Sequence, residues 1–143
     1  MAVNKNDSND YETSSFFSVT AQDLDPNNVT RLLGIQPRKS SNTLEQRKKS
    51  INPAHRFWHF STPESAALKH RSVEDAILAL FEKGALNVDL VAQLPATWDK
   101  EIIITAFTDE RPCFALSPAT AALLGKAGIL IVISVYAGPE SED

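Results

Sequence analysis

The residues able to do chemistry gather in one short part of the chain. Between positions 38 and 59 stand Arg38, Lys39, Arg47, Lys48, Lys49, Arg56, Phe57 and His59. Five of these are cations within 38–49, on a chain whose formal net charge is −4. Segregated charge of this kind speeds encounter with an acidic surface and can hold an anionic group. Phe57 and His59 share one face of a strand, where they could stack on a base or seat a protein anchor. Anion recognition or partner recognition is the chemistry these residue types offer.

Other chemistries fail on spacing. His55 and His59 on an extended strand lie about 13 Å apart, too far for both rings to reach one zinc with bonds of about 2 Å. His70 and the pair Asp23/Asp25 supply no companion set, so no metal and no cofactor are expected. The lone cysteine, Cys113, follows Pro112, while Arg111 points to the other side of an extended chain; it reads as a buried, inert thiol. The sequence contains no G-x-S-x-G, no Walker loop, no G-x-G-x-x-G and no H-E-x-x-H. With 5 glycines, a flexible loop that cradles phosphates is not expected either. No residue is assigned a catalytic role.

The elements that must position the basic segment can be read from periodicity and punctuation. SFFSVTA (15–21) alternates as a strand, and RFWHFST (56–62) is an aromatic strand with Trp58 and Phe60 assigned to the core. DPNNVTRLLG (25–34) and SPATAALLG (117–125) each pair a capping oxygen with proline and close on Leu-Leu-Gly. Both read as short helices ended by glycine, and with their strands as an internal pseudo-repeat in which both leucine pairs face one core. A third helix starts at Ser72, with an apolar stripe from Val73 to Phe81 closed by Gly84. Leu86 to Leu94 alternates with polar residues and reads as a strand with one wet face. EIIITAF (101–107) reads as a central strand, a short strand follows around Cys113 to Leu116, and ILIVISVY (129–136) closes the fold. Residues 36–55 read as one long loop, and Trp98 has no clear place. The fold class is therefore α+β, a largely antiparallel sheet with helices on one face.

At 143 residues the chain fits one domain, here 14–137, with polar tails at 1–13 and 138–143 expected to fray. An apolar content of 43% is ordinary for a globular protein. The acidic balance speaks against nucleic acid as partner. The polar start and the lone cysteine fit a cytoplasmic setting. AGILIVISVYAG (127–138) is too short and too β-branched to span a membrane.

FFSVTAQDLDPNNVTRLLGIQP, RFWHF and LSPATAALLGKAGILIVISVY together resemble the bacterial domain-of-unknown-function family 4279. The resemblance runs from about Phe16 to Tyr136. It implies this fold and a bacterial setting, and it carries over no catalytic residue. Some relatives look like immunity proteins of toxin systems. We expect a domain that works by binding a protein partner with an acidic surface, without catalysis of its own. The competing class is a small-molecule or nucleotide-binding enzyme acting on an anionic substrate near 38–59. A pocket lined by Arg56, His59 and the basic residues, with a strongly shifted histidine, marks the ligand class; a flat or convex surface marks the protein class.

Overall fold

A computed structural model describes residues 11–41, 56–70, 72–108 and 114–137. Its five strands are β1 (Tyr11–Ala21), β2 (Lys39–Ser40), β3 (Arg56–Phe60), β4 (Asp99–Thr108) and β5 (Leu130–Ala137). They form one sheet in the order β2-β3-β1-β4-β5. β1 pairs antiparallel with β3 and β4, β2 pairs antiparallel with β3, and only β4 and β5 run parallel. The α+β class and the largely antiparallel sheet agree with the reading of the sequence. β1 begins at Tyr11, so Tyr11 to Thr13 are strand rather than the tail to which the sequence was assigned.

Among the described residues five α-helices accompany the sheet: α1 (Pro26–Leu33), α2 (Pro63–Ala66), α3 (Val73–Leu78), α4 (Val88–Ala92) and α5 (Pro118–Ala127). Capping explains where they start. The Asp25 carboxylate accepts from the Asn27 amide, and the Ser72 and Ser117 hydroxyls accept from the amides of Asp75 and Thr120. Pro26 and Pro118 occupy first-turn positions whose missing N–H costs nothing. Gly34 ends α1 at φ 72°, the left-handed conformation that glycine adopts without a steric penalty. α5 runs on through Gly125 and stops at Gly128, so the second Leu-Leu-Gly is not the helix end the sequence suggested. α5 is the crossover that a parallel pair such as β4 and β5 requires.

One face of the sheet carries the core. Phe17 and Val19 of β1, Trp58 and Phe60 of β3 and Ile102 and Ile104 of β4 are buried there. They pack with Val29 and Leu33 of α1, Val73 and Ile77 of α3, and Leu124 and Ala127 of α5. The Trp58 ring meets Phe17 edge-on at 6.3 Å, and its Nε1 donates to Thr30 Oγ1 at 3.0 Å. Burying aromatic and branched side chains of this size stabilises by roughly 1.5–3 kcal/mol each. Trp98 is also buried and donates through Nε1 to the Asp23 carboxylate at 3.1 Å.

Several elements differ from the sequence reading. Leu86 to Leu94 is not a strand: the Asn87 side chain caps α4 by accepting from the Leu90 amide. Leu86, Val91 and Leu94 are buried, and Val91 and Leu94 share the i, i+3 spacing of a helix face. The alternating pattern was compatible with both periods, and the cap decided. Phe114 to Leu116 forms no strand, and Cys113 lies outside the described residues. The pseudo-repeat holds only in outline. Leu33 and Leu124 are buried and Leu123 packs beside the same core, but Leu32 is 45% exposed. No helix among the described residues is long and apolar enough to cross a membrane.

Candidate functional site

The site begins where β3 runs out. β3 pairs with β1 from Ala21↔Arg56 to Phe17↔Phe60. The chain then leaves the sheet through α2, begun by Thr62, whose side chain accepts from the Ser65 amide. It returns at His70, which bridges Thr13 through two backbone bonds of 2.8 and 3.3 Å. Between those two pairings, Ser14, Ser15 and Phe16 have no strand beside them on that side among the described residues.

That gap opens into a cavity of about 330 Å³. Its walls come from Ser14, Ser15 and Phe16 of β1, His59 and Phe60 of β3, Ser61 and Ala66 on the detour, and Arg38 and Lys39 at the start of β2. β2 is held in place by backbone bonds: the Arg38 amide donates to the His59 carbonyl at 2.7 Å, and the Ser41 amide donates to Phe57 at 3.0 Å. This pairing sets Lys39 directly opposite His59 on the sheet face away from the core. Lys39 and Ser40 are thus strand, where the sequence suggested loop.

The electrostatics are those of two cations beside a neutral imidazole. The His59 ring lies against Phe16 at 5.0 Å and Phe57 at 4.8 Å. Burial, and secondarily the charge of Lys39, lowers its pKa from 6.5 to about 4. At neutral pH the ring carries no charge and offers one N–H and one lone pair. The ion pairs among the described residues are Lys69–Glu64 and Lys126–Asp89, so neither Arg38 nor Lys39 is neutralised by a described carboxylate. The Ser61 hydroxyl oxygen is buried and has no hydrogen-bond partner among the described residues. Buried polar atoms in proteins are normally satisfied, so this hydroxyl is an exception, on a residue of the cavity wall.

Of the residues singled out from sequence, Arg38, Lys39 and His59 come together here. Phe57 touches the His59 ring but lies off the cavity wall. Arg56 does not join them. Strand alternation turns it to the opposite face, where its Nη1 approaches the Leu24 carbonyl at 3.5 Å. Arg47, Lys48 and Lys49, and also His55, lie outside the described residues. His70 sits at the far end of the gap with its Nε2 2.6 Å from the Glu64 carbonyl. Sequence reasoning missed Ser14, Phe16 and Ser61. The consecutive serines of YETSSFF were the available signal, since they place a hydroxyl on each face of a central strand.

Residues 11–138 match the family described as a domain of unknown function, DUF4279. No curated protein and no solved structure matches the chain.

Proposed function

We propose that this chain, which belongs to the domain-of-unknown-function family DUF4279, binds a small anionic ligand in the cavity at the end of β3. The supporting observation is convergence: Arg38, Lys39, a neutral His59 and the unpartnered Ser61 hydroxyl surround one concave volume. A cavity of about 330 Å³ suits a small molecule and lies at the lower end of ligand pockets. Two guanidinium and ammonium donors serve a carboxylate or phosphate, and charged donors make the stronger hydrogen bonds. This reading replaces an acidic protein surface as the first choice of partner, because Arg38 and Lys39 line a pocket rather than a convex patch. It assigns no bond-breaking step.

Calorimetry with a panel of small carboxylates and phosphates tests it. At least one should bind the parent protein, and the double variant Arg38→Ser/Lys39→Ser should bind it at least tenfold more weakly with folding unchanged. Equal binding by parent and variant, or no binding by any member of the panel, would sink the proposal.

A second reading, protein binding, is favoured by a different place. The edge strand β5 leaves Leu130 59% and Tyr136 52% exposed. Concentration-dependent sedimentation that is abolished by Leu130→Ser and Tyr136→Ser would support self-association there.

A further inference from the structure

The break in the sheet bears on what the ligand is, and the inference rests on the anion-pocket reading. Thr13 exchanges both of its backbone bonds with His70. His59 and Phe57 direct their carbonyls toward β2, to the amides of Arg38 and Ser41, so Phe60, Trp58 and Arg56 direct theirs toward β1. Both observations give the same alternation: Thr13, Ser15, Phe17 and Val19 present their backbone N–H and C=O to the β3 side. Phe17 and Val19 are matched by Phe60 and Trp58, and Thr13 by His70. Ser15 alone faces the gap. No backbone group of a described loop or helix bonds to it. Its hydroxyl points to the other face and donates to the Ala76 carbonyl at 2.6 Å, so main chain is what it brings to the cavity wall.

A paired N–H and C=O on an extended strand is complementary to another extended amide, as in any sheet ladder. We infer that the ligand is an amide-bearing carboxylate, a short peptide or N-acylated amino acid, whose amide continues the broken β3 ladder on Ser15 while its carboxylate meets Arg38 and Lys39. The cavity volume limits the bound part to a few residues. A free dipeptide and the end of a longer chain are both sources of this chemistry.

The test changes the ligand and leaves the protein intact. N-acetyl-alanyl-glutamate, its ester-linked analogue lacking the second amide N–H, and glutarate, which carries the same charge and no amide, are titrated into isotopically labelled protein. The peptide should bind about tenfold more tightly than glutarate and shift the Ser15 amide resonance, and the ester should lose most of that advantage. A ten-residue peptide with the same end identifies the source: tighter binding than the dipeptide points to a chain terminus, equal binding to a free small molecule. If all three compounds bind equally and Ser15 does not move, the inference is overturned and the anion pocket stands. If none binds, both fall.

Discussion

Along its β4 side, β1 pairs without a break from Tyr11↔Thr108 to Thr20↔Asp99, while along its β3 side pairing stops after Phe17 and resumes only at Thr13. Both sides belong to one strand and share one core. The β4 side completes its hydrogen bonds within the chain and contributes stability. The β3 side leaves a peptide group, a buried hydroxyl and two cations around open volume. Incomplete pairing in a central strand costs stability, because a buried amide without a partner forfeits roughly 1–3 kcal/mol. The proposed recognition site lies on the incomplete side.

Substitutions can break that contrast. The largest effect is expected in the core: Trp58→Ala should destabilise by about 3–5 kcal/mol, measured by denaturant unfolding, since it removes a fully buried ring and its hydrogen bond to Thr30 Oγ1. In α1, Leu33→Ala should cost about 2–5 kcal/mol, and Leu32→Ala less than about 0.5 kcal/mol, because only Leu33 faces inward. Equal losses would show that α1 is rotated from the position described.

Ser15→Ala should cost about 1–3 kcal/mol, because it strips the Ala76 carbonyl of a buried donor. Ligand affinity should stay close to that of the parent protein, since the main chain of Ser15 is unchanged. A variant that unfolds no more easily would remove the hydroxyl from its place on the α3 side.

The pH dependence comes next. His59 titrates near 4 in the folded protein against 6.5 when unfolded. Between those values the unfolded chain binds the extra proton, so this contribution to stability is full above pH 6.5 and declines as pH falls toward about 4. Replacing His59 with Gln should flatten that part of the stability profile. An unchanged slope in the variant would place the imidazole in solvent.

At the small end, Arg38→Ser/Lys39→Ser should alter stability by no more than about 0.5 kcal/mol, since both are exposed charges with no ion partner among the described residues. A large loss would mean that these cations hold the sheet together.

Much of this fold was legible because local and global signals coincide. Asp25 with Pro26, Ser72, and Ser117 with Pro118 mark helix starts whose amides need those oxygens in any context. The alternation in RFWHF assigned Trp58 and Phe60 inward and left Phe57 and His59 outward, as found. The Leu86–Leu94 stretch misleads because the alternation of Leu86, Val88, Leu90, Ala92 and Leu94 hides Val91, which with Leu94 makes the buried i, i+3 pair, and because Asn87 reads as a wet strand residue rather than a cap. The site was half legible. Arg38, Lys39 and His59 announce themselves by charge and type. Ser61 and the Ser15 main chain do not, since their role comes from where β3 stops, and strand ends are set by tertiary packing. Arg56 was grouped with His59 by proximity in sequence, although a three-residue offset on a strand places the two on opposite faces.

The most direct measurement is a solution NMR titration of the labelled protein with glutarate at neutral pH. The amides of Ser14, Phe16, Lys39 and Ser61 and the His59 ring should move together along one binding curve, while those of Lys126 on α5 and Leu130 on the opposite edge strand stay fixed. Shifts scattered over the surface, or none at the end of β3, would contradict an anion pocket there.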